Sequence, residues 1–182
     1  FKTRADTEFI LRGYEAWGLE GLLPKLRGMF SFAILDWNKR EVFLVRDRMG
    51  LKPLVYTTAN GGLAFGSLVR AVLPAVPKAE RQFSAESIDA YLAHRYIPAP
   101  RTIFQNIDRL ENAHYLHYRL DTQQLTKHCY WYAEPKSADW KTELDTAIRI
   151  RTVADRPLGV FLSGGIDSST IACRLKEQGF DH

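Results

Sequence analysis

The first apolar positions of the chain repeat with the period of an α-helix. Residues 6–17 carry apolar side chains spaced four and three residues apart, at Ile10, Tyr14 and Trp17. The same periodicity returns within residues 84–96, at Ile88, Tyr91, Leu92 and Tyr96. Ser84 is a residue type that caps helices, and Phe83 and Ile88 have the spacing of a hydrophobic staple. The pattern therefore predicts two amphipathic helices.

Between and after these helices, the apolar residues form short runs typical of β-strands. The runs occupy residues 28–36, 41–46, 53–56, 63–66, 114–120 and 125–132. The first two flank a turn at Asn38-Lys39 and predict a β-hairpin. Because the first run is apolar nearly throughout, we expect its strand to be covered on both faces. The next two runs bracket Asn60-Gly61, a turn sequence, and predict a second strand pair.

The pattern changes at residues 133–139, which are polar, contain proline and lack periodicity, as in a linker. Beyond them, residues 140–153 predict an amphipathic helix and residues 158–162 a short apolar strand. A final helix is predicted at 169–178, with Gly179 as its C-cap. An apolar strand between two helices is typical of a parallel α/β sheet, so we expect the opening of a second domain that is cut short.

Composition narrows the class of protein. The 182 residues are 46% hydrophobic and 25% charged, as in globular proteins, and no apolar run reaches roughly 18 residues, the length that spans a bilayer. The net charge of +4 comes from dispersed Lys and Arg, which gives little support to nucleic-acid binding. We therefore expect no nucleic-acid or membrane partner and, without a secretory signal in the sequence, a cytoplasmic location.

Residues 160–170, VFLSGGIDSST, have the composition of a phosphate-binding loop. Gly164 and Gly165 allow the backbone N–H groups to face one concavity, and the helix that follows adds its positive end. Hydroxyl donors would come from Ser163, Ser168 and Ser169. Asp167 would repel phosphates unless a cation intervened, so we expect Mg²⁺ between them. The alternative is a Gly-Gly turn into a helix capped by Ser and Asp.

The string SGGIDSS resembles the PP-loop (SGGxDS) of ATP pyrophosphatases, which adenylate a substrate and release pyrophosphate. The resemblance implies that Asp167 is the metal ligand. It also implies that Phe161 lies on a strand against the nucleotide. The implied ATP-binding residues are Phe161, Ser163, Gly164, Gly165, Asp167, Ser168 and Ser169.

The upstream residues carry a second resemblance. ADTEFILRGYEAWG and the run from LRGMFSF to KPLVY resemble the class II glutamine amidotransferase domain, and RYIPAPRTIFQNIDRL resembles the stretch that follows it in asparagine synthetases. The chain thus resembles the glutamine-hydrolysing asparagine synthetase family. The implied fold is α+β, an incomplete Ntn-hydrolase-like αββα sandwich, followed by the start of an α/β PP-loop domain (adenine nucleotide alpha hydrolase-like). The implied boundaries are 1–132 for the glutaminase part, 133–139 for the linker and 140–182 for the synthetase part.

The resemblance implies ATP-driven amide synthesis with nitrogen from glutamine. In the family, an N-terminal cysteine releases ammonia from glutamine, and an acyl-adenylate of the acceptor takes it up, with AMP and pyrophosphate as products. The implied cofactors are ATP and Mg²⁺; the partners are glutamine, ATP and aspartate or another carboxylate, with a possible homodimer. Asp6 matches the family aspartate that holds the α-amino group of glutamine. Asp6 or Thr7 could instead cap the first helix.

Some residues depart from the family pattern. Residue 1 is Phe rather than Met or Cys, so we expect a piece of a longer chain that catalyses neither half-reaction alone, since Cys129 and Cys173 lack the α-amino group that serves as base. Both cysteines are expected to be buried or half-buried, and no zinc site is expected. Leu68 replaces an acid, and LENAH at 110–114 replaces Leu-Pro-Pro-Gly-His. Two alternatives therefore stay open: an amidotransferase of the same architecture for another carboxylate, associated with polysaccharide or export loci, or a catalytically dead nucleotide-binding module.

Overall fold

The computed structural model describes residues 1–3, 5–135 and 137–180. The chain divides into two compact units, residues 1–133 and residues 134–182, here called the first and the second unit. The first unit is a mixed α/β structure with two antiparallel sheets. This agrees with the α+β class expected for residues 1–132; the Ntn-hydrolase-like and PP-loop assignments stay predictions.

The first unit contains three α-helices and seven strands among the described residues. Its helices are α1 (Asp6–Leu22), α2 (Val69–Val72) and α3 (Ala85–His94), and short 3-10 turns follow at Leu23–Lys25, Leu73–Ala75 and Lys78–Glu80. Its strands are β1 (Ser31–Asp36), β2 (Glu41–Arg46), β3 (Val55–Thr57), β4 (Ala64–Gly66), β5 (Asp108–Arg109), β6 (His114–Arg119) and β7 (Leu125–Cys129). The predicted helices and strand pairs of this unit are confirmed. The first helix breaks at Gly18, whose φ of 67° and ψ of 179° are not helical, directly after its predicted end at residue 17, and α1 then continues to Leu22.

One sheet has the order β1-β2-β6-β7 and the other has the order β4-β3-β5. In the first sheet, Phe43 of β2 stands opposite Ile34 of β1 and His117 of β6. Because side chains alternate along a strand, this register gives the sheet two apolar faces. One face packs against α1, and the other packs against the second sheet.

The prediction that the first run, β1, is covered on both faces is wrong. Ala33 and Leu35 are exposed, whereas Val42 to Arg46 of β2 are all buried. The reason is position in the sheet: β1 is an edge strand that α1 covers on one face, while β2 is central and covered on both. The run of apolar residues did not reveal which of the two neighbouring strands is central.

Each face of the four-stranded sheet contributes to a separate core. The α1 side buries leucines from α1 and the turn after it, with Leu19, Leu22, Leu23 and Leu26 packed on Ile34, Phe43, Val45 and Tyr115. Gly13 permits this approach, because a Cβ there would lie 2.5 Å from Cδ1 of Leu22. The opposite face buries Val42, Leu44, Leu116 and Tyr118 against Leu54, Tyr56 and Leu110. Apolar burial of this kind is the main stabilising contribution to the fold.

Arg46 and Asp47 fix the segment that follows β2. Arg46 is 7% exposed and donates to the carbonyl oxygens of Leu110, Lys52 and Gly50 at 2.6, 2.9 and 2.5 Å. Burial lowers the pKa of Arg46. Asp47 is 1% exposed and accepts from the N–H groups of Met49, Leu51 and Lys52. These contacts hold the turn after β2 in place.

Helix α3 forms with its predicted cap, and the two residues of the predicted staple, Phe83 and Ile88, are both exposed. The Ser84 side chain accepts from the N–H of Ser87 at 3.2 Å. Phe83, however, is 62% exposed and stacks on Phe104, with ring centroids 5.1 Å apart. The predicted apolar face of α3 is also largely exposed, at Ile88, Tyr91, Leu92 and Tyr96.

The second unit contains the helices α4 (Trp140–Arg149) and α5 (Ile166–Glu177). Helix α4 ends four residues before its predicted end. The predicted strand at 158–162 is wrong: this segment has no regular structure and its side chains are exposed. A strand needs a partner for its backbone hydrogen bonds, and none pairs with it among the described residues. Cys173 is exposed rather than buried or half-buried, whereas Cys129 is half-buried as predicted.

Candidate functional site

The SGGIDSS sequence forms a tight loop that leads directly into α5. Gly164 has φ of 79°, a left-handed conformation that side chains with a Cβ rarely adopt. Gly165 is the N-cap of α5 and is extended, with φ of −75° and ψ of 160°. The two glycines therefore act differently, since only Gly164 occupies a conformation that favours glycine.

The hydroxyl groups of two serines hold this loop against the first turn of α5. The Oγ atoms of Ser163 and Ser168 lie 3.0 Å apart, and the Ser163 N–H donates to Ser168 Oγ at 3.3 Å. Ser168 Oγ donates to the Gly165 carbonyl oxygen at 3.1 Å, and the Gly165 N–H donates to Ser163 Oγ at 3.4 Å. Because each hydroxyl has one proton, Ser163 must donate to Ser168 for all four contacts to hold. These two serines thus form a closed network.

The start of α5 presents unpaired backbone donors. No side chain caps this helix among the described residues, and its first intrahelical bond is from the Ser169 N–H to the Gly165 carbonyl, at 3.1 Å. The N–H groups of Ile166 and Asp167 precede that bond and have no intrahelical acceptor. Together with the helix dipole, such donors favour an anion at this end of the 12-residue helix. The alternative reading, a Ser/Asp-capped turn, lacks the side-chain cap it requires.

Asp167 lies in the first turn of α5 with its carboxylate exposed. It makes no hydrogen bond or ion pair with any described residue, so its oxygens are free to coordinate a hard cation such as Mg²⁺. Within the described ranges, no three His, Cys, Asp or Glu side chains are grouped as metal ligands. A cation at Asp167 would therefore take most of its ligands from phosphate oxygens and water, as Mg²⁺ commonly does.

A cavity of about 1140 Å³ adjoins this loop within the second unit. Asp167 and Ser168 contribute to its wall, and so does Phe161, whose side chain is fully exposed. Most of the remaining wall is apolar and includes Leu144, Ile148, Leu158, Leu162, Ile171 and Phe180. The cavity is larger than a typical small-molecule pocket, which measures about 300–1,000 Å³. The structure thus brings Phe161, Asp167 and Ser168 to one cavity. The other predicted ATP-binding residues do not line it: Ser163, Gly164, Gly165 and Ser169. Ser169 also makes no side-chain hydrogen bond to a described residue.

Asp6 is in the first unit and is an exposed residue at the start of α1. The predicted cap by Asp6 or Thr7 is wrong, because Ala5 is the N-cap and no side chain caps α1. One Asp6 oxygen accepts from the N–H of Thr7 at 2.8 Å. The other oxygen has no bond to a described residue and could accept from a ligand amine.

The contacts of Glu8, two residues after Asp6, were not predicted from the sequence. The Glu8 carboxylate accepts from the Thr3 hydroxyl and from the N–H groups of Lys2 and Thr3, at 2.6 to 2.8 Å. These bonds, led by that of the Thr3 hydroxyl, lower the pKa of Glu8. An acid at the third position of a helix is a signal for such contacts. The ion pair between Asp145 and Arg174 in the second unit was not predicted either.

Two family models match the chain. That of the glutamine amidotransferase domain matches residues 1–131, and that of asparagine synthase matches residues 139–179. Among the helices in the described part of the chain, none is long and apolar enough to cross a membrane.

Curated relatives match both parts of the chain together. Asparagine synthetase (glutamine-hydrolyzing) 2 of Bacillus subtilis is 35% identical over 192 residues, covering 94% of this chain and 25% of that protein. Its paralogue, asparagine synthetase (glutamine-hydrolyzing) 1, is 32% identical over 188 residues, covering 97% and 29%. A Methanocaldococcus jannaschii relative, provisionally named as another such synthetase, is 33% identical over 187 residues, covering 97% and 36%. The chain thus spans about a quarter to a third of the length of these relatives.

Proposed function

Because this chain belongs to the glutamine amidotransferase domain family, we propose that it takes part in glutamine-dependent, ATP-driven amide synthesis. The first unit would belong to the part that releases ammonia from glutamine. The second unit would bind the ATP that activates the acceptor carboxylate as an acyl-adenylate, with AMP and pyrophosphate as products. The proposed boundaries are those expected from the sequence: 1–132, a linker at 133–139, and 140–182.

The observation that carries the proposal is the loop at the start of α5. Gly164 is left-handed there, Ser163 and Ser168 bond to each other, and the first amides of α5 have no acceptor among the described residues. These amides are the donors that a pyrophosphate group requires. A carboxylate is a poor acyl donor, and adenylation gives it a good leaving group. Donors that hold this group favour the charge that develops as it departs.

Each proposed residue has one role in this scheme. Asp167 would hold Mg²⁺, which neutralises phosphate charge when it is bound. Ser163, Gly164, Gly165, Ser168 and Ser169 would surround the pyrophosphate portion. Phe161, which lines the same cavity as Asp167, would lie against the nucleotide. Asp6 would accept from the α-amino group of glutamine through its unpaired oxygen.

The acceptor carboxylate is proposed to be aspartate, because the curated relatives are named as asparagine synthetases. The departures at Leu68 and at residues 110–114 favour testing other acceptors as well. The assay follows pyrophosphate release from ATP, with glutamine and a panel of carboxylates, in the protein as the cell makes it. We expect release that depends on both glutamine and aspartate. Release with another carboxylate alone would reassign the acceptor, and no release with any of them would favour a nucleotide-binding module.

A further inference from the structure

A bidentate ion pair joins the two helices of the second unit. Arg174, in the last turns of α5, donates from Nε to Asp145 Oδ1 at 2.6 Å and from Nη2 to Asp145 Oδ2. Asp145 lies in the middle of α4, 29 residues earlier in sequence. The side chains are 14% and 30% exposed. Two parallel N–H···O bonds of this kind fix direction as well as distance.

Gln178 adds to the same contact. Its Nε2 lies 3.3 Å from both the carbonyl oxygen and Oδ1 of Asp145. Asp145 therefore receives donors from two residues at the end of α5. The hydrogen bond from Arg174 is the largest of several influences that lower the pKa of Asp145, so the carboxylate is ionised at neutral pH.

Apolar packing gives α5 little support. None of its residues is buried, and Ile148 is the buried residue of α4. The cavity of about 1140 Å³ lies along α5, and Ile171 on its wall is 39% exposed. A helix without a buried face is free to tilt unless polar contacts hold it. The fork between Asp145 and Arg174 is thus the principal directional contact between the two helices.

The contact lies far from the loop along α5, so a small tilt of the helix at this contact displaces the loop. Gly165 precedes Arg174 by nine residues, which corresponds to about 13 Å along the helix axis at about 1.5 Å per residue. A tilt of about 5° around the anchored end would therefore move the loop by about 1 Å. Displacements of about 1 Å at a reacting centre can cost about 100-fold in rate.

We propose that Asp145 and Arg174 are positioning residues. They fix the orientation of α5 so that its amino end, together with the loop at 163–168, faces the pyrophosphate portion of ATP. This inference rests on the proposed function of that loop. Neither side chain lines the cavity beside the loop, so both would act through the position of α5. Their effect is to fix the direction of the unpaired donors at Ile166 and Asp167.

The test measures MgATP binding by the protein as the cell makes it, with isothermal titration calorimetry. The variants are Arg174→Met, Asp145→Asn and the double variant. Lys176→Met is the matched control, because it removes the same charge from an exposed position on the same helix. Arg174→Lys keeps the charge but not the planar fork. It decides the outcome if Arg174→Met fails to fold, which circular dichroism and urea unfolding report for every variant.

We expect Arg174→Met to weaken MgATP binding by about 10- to 100-fold, and Arg174→Lys by a smaller factor, with Lys176→Met unchanged. The double variant should be no weaker than the worse single variant, because both substitutions break one interaction. Unfolding midpoints close to that of the unsubstituted chain would separate positioning from general stability. Equal affinities for Arg174→Met and Lys176→Met, or additive losses in the double variant, would overturn the positioning role. If the unsubstituted chain bound no MgATP, the nucleotide site itself would fail and the positioning role with it.

Discussion

Replacing Gly164 with alanine tests whether the loop conformation is the one that binds nucleotide. Gly164 has φ of 79°, and nothing lies within 4 Å of the position that a Cβ would take. The added methyl group therefore meets no neighbour. Any effect of the substitution must come from the backbone conformation alone.

The magnitude follows from the cost of that conformation. A left-handed backbone conformation costs a residue with a Cβ about 1–2 kcal/mol. The free loop is exposed and can relax to another conformation, whereas a loop closed around pyrophosphate cannot. The conformational cost therefore reduces the free energy of nucleotide binding. A change of about 1.4 kcal/mol corresponds to a tenfold change in affinity. We expect Gly164→Ala to weaken MgATP binding by about 5- to 30-fold.

The assay is calorimetric titration of the protein as the cell makes it with MgATP. Gly62→Ala is the matched control, because Gly62 also has open space around its Cβ position, lacks a positive φ and does not line the cavity. Its affinity should equal that of the unsubstituted protein. If Gly164→Ala binds as tightly as Gly62→Ala, the left-handed turn is not required in the bound state and the prediction is wrong.

Three further predictions concern acidic residues. Asp47→Asn should lower the free energy of unfolding by about 2–4 kcal/mol in urea titrations, because the buried carboxylate accepts from the N–H groups of Met49, Leu51 and Lys52 at 2.9 to 3.1 Å. In the protein as the cell makes it, Asp6→Asn should raise the KM for glutamine by about 10- to 100-fold, because the proposed bond to the α-amino group loses its charge. Asp139 caps α4, and hydrogen bonds, the largest from Thr142, lower its pKa, so hydrogen exchange should show its stabilisation of α4 above a pH of about 4 and its loss as the pH falls further.

Each of these predictions has a control in the same chain. Asp121→Asn removes a half-exposed carboxylate and should change the free energy of unfolding by less than about 0.5 kcal/mol. If Asp47→Asn lowered the free energy of unfolding no more than Asp121→Asn does, the three hydrogen bonds would not stabilise the fold as described. Glu8→Gln alters a carboxylate two residues after Asp6 and should leave the KM for glutamine unchanged. A rise as large as that of Asp6→Asn would show a general effect on α1. Asp139→Asn keeps a good cap without a titrating group, so a pH dependence that persisted in this variant would exclude Asp139 as its source.

The elements of the first unit were predictable because their signals are local. Ile10, Tyr14 and Trp17 have helical spacing in the sequence itself, and Ser84 caps α3 through a bond to the N–H of Ser87, three residues away. The turn at Asn60-Gly61 likewise needs no distant partner. Burial was less predictable, because it depends on what covers an element. The edge position of β1 and the exposed face of α3 both show this.

Contacts between distant residues could not be derived from the pattern. Arg46 donates to the carbonyl of Leu110, 64 residues away, and a backbone acceptor leaves no mark in the sequence. The predicted strand at 158–162 failed for a related reason. Its apolar residues have strand composition, but a strand also requires a partner, and composition does not provide one.

The candidate site likewise combines local contacts, which the sequence predicts, with long-range contacts, which it does not. The bonds within the loop join residues two to five positions apart, from Ser163 to Ser168, so the sequence encodes the loop conformation locally. The direction of α5 depends on Asp145 and Arg174, which are 29 positions apart. A motif can therefore predict a phosphate-binding loop while leaving its orientation undetermined. It follows that a second chain with the same SGGIDSS sequence, but without this ion pair, must fix the direction of its loop by other contacts.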